Sequence, residues 1–162
     1  MSMDEQQLAT ILQRLNAVEA FMRKPQAESP IDGVWTPAIA GSGTAGTFTY
    51  AATTNGQYTR TGNIAFFSGR IVVTATAVAP TGNVTITGFP IVAAGILIAG
   101  GGVFIQQNIN VAAGYTQVEG QILSGNTFMS IIRSGDNVAP AVVQGGELNA
   151  TFDFQFWGVY RV

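Results

Sequence analysis

Apolar residues near the start of the chain recur with the spacing of a coiled-coil helix. Successive positions are three, four, three and four residues apart: Leu8, Ile11, Leu15, Val18 and Met22. In this heptad register Leu or Met occupies each a position and a β-branched residue each d position, which favours three or four strands over two. The pattern predicts a coiled-coil stem over residues 1–24. An amphipathic helix packed against its own domain is the alternative interpretation.

The character of the sequence changes after the helical pattern ends. Pro25 and Pro30 cannot continue a helix, and they lie in a predicted linker over residues 25–32. All 20 glycines occur at Gly33 or later. We therefore divide the chain into a stem (1–24), a linker (25–32) and a head domain (33–162).

The head has the alternating pattern of β-strands. From Leu148 to Val162 apolar and polar positions alternate with a period of two, which predicts one long strand with a single buried face. A second strand is predicted around Phe67, with Gly69 at a bulge. Turns are predicted at four short motifs that tolerate positive φ: Gly62-Asn63, Gly82-Asn83, Gly125-Asn126 and Gly135-Asp136-Asn137. Roughly eight or nine short strands favour an all-β, antiparallel β-sandwich or jelly roll.

Composition narrows the possible functions. Charged residues make up 10% of the chain and the net charge is −2, without the clustered Lys and Arg of a nucleic-acid binder. No Cys or His is present, which excludes disulfides, catalytic triads and ordinary zinc sites. Residues 88–105 carry no charge, but Pro90 and the Gly100–Gly102 run argue against a membrane helix. We expect two strands there, joined by a glycine loop, and no membrane insertion.

Three sequence motifs, in this order along the chain, resemble those of a known family of proteins. They are Gly33-Val34-Trp35-Thr36-Pro37, then Tyr58-Thr59-Arg60-Thr61-Gly62-Asn63, then Gly82-Asn83-Val84-Thr85-Ile86-Thr87-Gly88-Phe89-Pro90. This order resembles the β-structured C-terminal domains of tailed-bacteriophage tail fibres, tailspikes and related receptor-binding virion proteins. The resemblance covers residues 33–90 closely. The second half of the head shares only general features with these domains, such as a long aromatic strand that ends near Tyr160.

The resemblance implies a homotrimer of β heads on a fibrous stem, exposed on a virion and contacting host-surface glycans. We therefore expect a trimeric tail-fibre-type structural protein that binds a host receptor through several sites at once. It would be made in the host cytoplasm without a secretion signal and would attach to other virion components. A capsid decoration or head-fibre protein with a purely structural role is the alternative.

A glycan depolymerase is the third possibility, and the carboxylates of the head argue against it. Glycoside hydrolysis needs two acids close together. The head carboxylates are scattered along the sequence, so we expect no enzymatic activity, no cofactor and no metal.

Several motif residues are candidates for structural or interface roles. We expect Trp35 to anchor the core or an interface instead of stacking on a sugar. Tyr58 and Arg60 alternate onto one face of a strand, and Asn63 belongs to a turn. Trp157 points away from the Phe152, Phe154 and Phe156 face, so it would lie outside the core and contact another subunit.

Loops are the expected place for receptor contacts. The candidate residues are Gly101, Tyr115, Asp136 and Asn137. The arginines of the head need carboxylate partners. The available carboxylates are Asp32, Glu119, Asp136, Glu147 and Asp153. We expect at least one ion pair between one of them and Arg70, Arg133 or Arg161 to cross between subunits.

Overall fold

The computed structural model describes residues 5–22, 29–94 and 98–162. Helix α1 (Glu5–Met22) is followed by a β head. Half of the predicted linker (25–28) and the side chain of Met22 lie outside the described residues. The other heptad residues, which form an apolar seam along α1, are 48% to 53% exposed: Leu8, Ile11, Leu15 and Val18. The alternative of a helix packed on its own domain requires this seam to be buried against the head, and it is not.

Eleven strands and one short 3₁₀ helix form the described part of the head. The strands are β1 (Ile31–Trp35), β2 (Ala38–Gly41), β3 (Thr47–Tyr50), β4 (Asn55–Thr61), β5 (Ile64–Val78), β6 (Val84–Thr87), β7 (Ile98–Ile109), β8 (Gln117–Leu123), β9 (Phe128–Gly135), β10 (Val138–Val142) and β11 (Leu148–Arg161). The 3₁₀ helix spans Gly145–Glu147, directly before β11.

The strands form one antiparallel sheet that curls back on itself. Its order is β1-β4-β5-β11-β7-β8-β9-β6-β2, with β3 added beside β5 and β10 beside β9. Strands β1 and β2 lie at opposite ends of this order, yet only Thr36 and Pro37 separate them in sequence. Two residues cannot span an open sheet of this width. The sheet must therefore curl until its two ends meet.

The core lies inside the curl and is rich in aromatic rings. Phe89, just after β6, is at its centre. Its ring centroid lies 4.5 Å from that of Trp35, 5.0 Å from that of Phe67 and 5.7 Å from that of Tyr160. Trp35 also contacts Phe156 at 6.1 Å. Two of the sequence motifs, one containing Trp35 and the other Phe89, thus meet in the core.

The antiparallel all-β prediction is confirmed, and β11 occupies almost the whole predicted segment. Three of the four predicted turns are present, and at the fourth position Gly82 lies in a bend next to Asn83, which forms a β-bridge with Gln144. In the β4–β5 hairpin Gly62 has φ +57°, and in the β9–β10 hairpin Asn137 has φ +59°. Strand pairing links the eleven described strands into a single curled sheet. The finer assignment to a β-sandwich or jelly roll stays a prediction.

Two glycine predictions were wrong. Gly69 is not at a bulge, because it pairs regularly with Gly56 and Phe156. The Gly100–Gly102 run is not a loop, because it lies within β7. In both places a side chain would collide with a neighbour: with the Phe156 ring at Gly69 and with Tyr160 at Gly100. These glycines permit close packing and do not make turns.

Within ranges 5–22, 29–94 and 98–162, no helix combines the length and apolar character needed to cross a membrane.

The contact between Gly56 and the Trp35 indole gives a first prediction. A Cβ atom at Gly56 would overlap the indole ring. We expect Gly56→Ala to lower the free energy of unfolding by roughly 1–3 kcal/mol, as overpacked cores do. Gly146→Ala is the control, because its Cβ would meet no atom within 4 Å. Urea unfolding at one protein concentration measures both, and equal stability of the two variants would contradict the packing argument.

A second prediction concerns alkaline pH. Burial, with a smaller contribution from Tyr58, raises the pKa of Tyr160 to about 12. The unfolded chain would ionise this phenol near its ordinary pKa of 10, so its stabilising effect is complete below pH 10 and declines as the pH rises towards 12. We expect the urea midpoint of the native protein to fall more steeply over this window than that of Tyr160→Phe. Identical slopes would contradict this.

Burial also raises the pKa of Tyr50. The Tyr160→Phe variant should therefore retain a smaller alkaline loss, and a further Tyr50→Phe change should reduce it.

Candidate interaction surface

The outward side of the β1–β4–β5–β11–β7 region carries large apolar side chains. Residues opposite each other in antiparallel strands point to the same side. One row joins Val34 through Gln57 and Ser68 to Trp157, and the next joins Asp32 through Thr59 and Phe66 to Val159. With Ile105 on β7, the apolar members define what we call the outer face: Val34, Phe66, Ile105, Trp157 and Val159.

The outer face is unusually exposed for such side chains. Val34 is 81% exposed, Phe66 55% and Trp157 46%. Their sequence neighbours Trp35, Phe67 and Phe156 are buried, because side chains alternate along each strand. Contiguous exposed apolar residues with a polar rim are typical of protein–protein contacts. An aromatic pair such as Phe66 and Trp157 is also the kind of side chain that contributes most to such contacts.

Polar groups border the outer face. Thr59 donates a hydrogen bond of 2.5 Å to Asp32 on the neighbouring strand. Arg70 donates to Asp153 at 2.6 Å through Nη2, and its Nε lies 3.2 Å from both carboxylate oxygens. This hydrogen bond and the carboxylate charge raise the pKa of Arg70. A shallow groove of 310 Å³ runs between Arg70 and Trp157.

A separate, partly buried network holds the loops around the 3₁₀ helix. Arg133 on β9 forms an ion pair with Glu147, and both side chains are 12% exposed. The Arg133 guanidinium also lies 4.4 Å from the centre of the Tyr115 ring. Glu147 accepts 2.7 Å hydrogen bonds from the backbone N–H groups of Ala112 and Gln144. One carboxylate therefore fixes two loops and the 3₁₀ helix.

The structure places the predicted motif residues in different environments. Trp35 is 7% exposed and belongs to the core, so its ring is not available as a sugar platform. Tyr58 shares the inward side with Phe67, and Arg60 donates a 2.8 Å hydrogen bond to the Gly62 carbonyl. Asn63 lies in the β4–β5 turn. Trp157 is the one of these residues that reaches the outer face.

Two of the predicted receptor loops are neighbours. Thr116 N–H donates to the Ser134 carbonyl at 2.9 Å, so the loop with Tyr115 lies beside the turn with Asp136 and Asn137. Asp136 and Asn137 are exposed, whereas Tyr115 is half-buried and its hydroxyl donates to the Ala139 carbonyl at 3.2 Å. Gly101 lies in strand β7, so it is not a loop residue and does not belong to this group.

The predicted inter-subunit ion pair is not needed for two of the arginines. Arg70 and Arg133 find their carboxylates, Asp153 and Glu147, within the same chain. The sequence could not reveal these partners, because the positions are far apart along the chain and only the β5–β11 pairing and the 3₁₀ helix bring them together.

Sequence reasoning missed Val34, Phe66 and Ile105. Phe66 carried a usable signal, because it is the partner of the buried Phe67 in an alternating strand and must face outward. Val34 and Ile105 join it only through the pairing of β1 and β7 with other strands.

Comparisons with known proteins identify a shared fold. No protein-family model matches the chain, and no curated protein matches it. Among solved structures, the crystal structure of the Dettilon tailspike protein (gp208) superposes with a TM-score of 0.65 at 18% identity. The match covers 81% of this chain and 23% of the tailspike chain. The head thus has a fold found in a phage tailspike, and the chain spans less than a quarter of that protein's length.

The two intrachain ion pairs give a third prediction. We expect Glu147→Gln to lower the free energy of unfolding by about 1–3 kcal/mol, because it leaves the partly buried Arg133 charge without its carboxylate partner. Asp153→Asn is the matched control, since it removes the partner of the more exposed Arg70 and should cost much less. Urea unfolding compares the two. Equal losses would mean that burial of the Arg133 pair is not what stabilises the loops.

Proposed function

We propose that this chain is a homotrimeric bacteriophage tail-associated protein of the tail-fibre or tailspike type, which binds a receptor on the host surface. Its function is binding and not catalysis. The fold likeness to a tailspike and the three ordered motifs of residues 33–90 support the phage assignment.

The exposed outer face is the observation that most directly supports a trimer. Val34, Phe66 and Trp157 would be covered if the same face, or its edge, met a second and third copy. The seam of α1 is a second apolar surface of the same chain, with Leu8, Ile11, Leu15 and Val18 each about half exposed. One assembly that covers both surfaces accounts for them and for a charged fraction of only 10%.

The stem favours three or four copies, and the resemblance to tail fibres and tailspikes selects three. Leu at a with β-branched residues at d favours three or four helices. The stem contains little more than two heptads and would be marginal alone. The head contact and the stem contact would therefore reinforce each other, because forming one raises the effective concentration for the other.

Trimerisation also explains how a weak receptor site could suffice. Three copies of one site on a single head engage a repetitive surface together, so the combined affinity far exceeds that of each site. A virion component exposed on the tail would use host-surface glycans in this way.

The solution mass tests this proposal and is the fourth prediction. Light scattering coupled to size exclusion should give three times 16.9 kDa for the native chain. The double variant Phe66→Glu/Trp157→Glu should give a lower mass, because it places charges in the apolar contact. Val78→Glu is the control, since Val78 is 49% exposed at the opposite end of β5 and should not change the mass.

A further variant separates the stem from the head. Leu15→Asp disrupts the α1 seam, and a trimer that survives it would place the dominant contact in the head. A native protein that is monomeric at all concentrations would overturn the proposal. A trimer that binds no host cells would favour a purely structural role on the particle.

A further inference from the structure

The exposed apolar stripe of α1 is wider than the heptad seam. With Leu8 at an a position, Leu12 falls at the neighbouring e position, and it is 51% exposed. The seam residue Leu15, one turn further on, is exposed to a similar degree at 52%. A helix that packs against two neighbours needs apolar side chains at e or g as well as at a and d. The stripe of α1 is therefore wide enough to contact two other helices.

Two charged residues border this stripe, one on each side. In the same register Arg14 occupies a g position and Glu19 the e position of the next heptad, and both side chains are exposed. Between two parallel helices aligned in register, a g residue lies beside the e residue that is five positions further along the neighbour, and such pairs set partner choice and orientation. Glu19 is five positions after Arg14, so the two opposite charges are placed to meet between chains.

The same spacing does not favour a contact within one helix. Side chains meet along a helix when they are three or four positions apart. Five positions turn the helix by about 500°, which leaves Arg14 and Glu19 roughly 140° apart around its axis. The pair is therefore suited to contact between helices and not within one.

An antiparallel arrangement would bring like charges together. Arg14 lies near the middle of α1 (Glu5–Met22), so two antiparallel copies would place their Arg14 side chains close to each other at the g–g contact. Such an arrangement would also separate the heads. Helix α1 has 18 residues and is about 27 Å long, and the two heads would lie at opposite ends of it. Their outer faces could not meet.

We propose that Arg14 of each chain pairs with Glu19 of the next, and that this ion pair fixes a parallel, in-register stem. The partner on the apolar stripe is then a second copy of this chain, because the charges that border the stripe complement each other. A closed ring of three chains contains three equivalent pairs. The assignment rests on the proposed trimer and adds the residues that orient it, so that all three heads lie at one end and their outer faces can meet.

A single introduced cysteine tests the orientation, since the full chain contains none. In a parallel, in-register stem the Leu8 residues share one layer, within the Cα separation of about 7 Å that a disulfide allows. We expect Leu8→Cys to form a covalent dimer under mild oxidation, seen on a non-reducing gel. In an antiparallel pair the two positions would be about 16 Å apart along the axis. Ala9→Cys is the matched control, because its b position faces away from the seam and should not cross-link.

Hydrogen exchange of the α1 amides tests the ion pair. Measured by mass spectrometry on the full chain, it reports opening of the stem even while the heads hold the trimer together. Arg14→Gln should raise the exchange rate about tenfold, which is the combined effect of three exposed pairs. Arg and Gln have similar helix propensities, so the helix itself is little affected. In a Glu19→Gln background the same change should have no effect, because the partner is already absent.

Two further variants control for charge. Gln13→Glu makes the same change in net charge as Arg14→Gln, but at the outward f position, and should leave the exchange rate at the native value. Arg14→Lys keeps the positive charge and should stay close to native. If Arg14 acts only within its own helix, Arg14→Gln will raise exchange equally with and without Glu19, and that result would overturn the pairing.

Light scattering on the same samples separates this proposal from the trimer itself. A trimer whose Leu8→Cys variant does not cross-link, or cross-links no faster than Ala9→Cys, refutes the parallel stem and leaves the assembly intact. A native chain that is monomeric refutes both. A trimer that cross-links through Leu8→Cys and loses the effect of Arg14→Gln when Glu19 is replaced supports both.

Discussion

The two-residue connection between β1 and β2 is the constraint on which the rest of the head depends. Thr36 and Pro37 join strands that lie at opposite ends of the sheet order, so the sheet has to curl until its ends meet. Trp35 stands at that junction and packs on Phe89 from one end and on Phe156 from the middle of the sheet. Because the curl encloses these rings, each central strand has one buried side and one free side.

Strand alternation then determines where an apolar side chain can reach solvent. Phe67 is 4% exposed and Phe66 is 55% exposed, although they are adjacent in β5. The first belongs to the core because the curl closes over it. The second belongs to the outer face because none of the residues that the structure describes covers that side. The hydrophobic pattern of a single strand therefore carries information about both folding and association, and only the burial distinguishes them.

Polar groups inside the head are arranged by a small number of long-range contacts. Glu147 satisfies two backbone donors and pairs with Arg133, which in turn lies against Tyr115. This network ties the loop after β7 to the 3₁₀ helix. Beyond Val103, β7 stays beside β11 while β8 follows β9, so the two strands separate as a consequence of strand register and not of any local sequence feature.

The sequence by itself determined the helix with its apolar seam, the antiparallel β head, the position of the last strand and the turns at Gly62 and Asn137. Those features depend on local periodicity and on backbone preferences, which neighbouring residues are enough to specify. The predictions from sequence were wrong at Gly69 and in the Gly100–Gly102 run, where glycine permits close packing. A glycine in a turn and a glycine packed against an aromatic ring cannot be distinguished in the sequence, because the opposing ring is distant along the chain. Only the tertiary structure decided that the sheet is continuous and curled, and that Val34 and Ile105 join Phe66 and Trp157 on one surface. Each of these is set by contacts between strands distant in sequence, whose register no local pattern encodes.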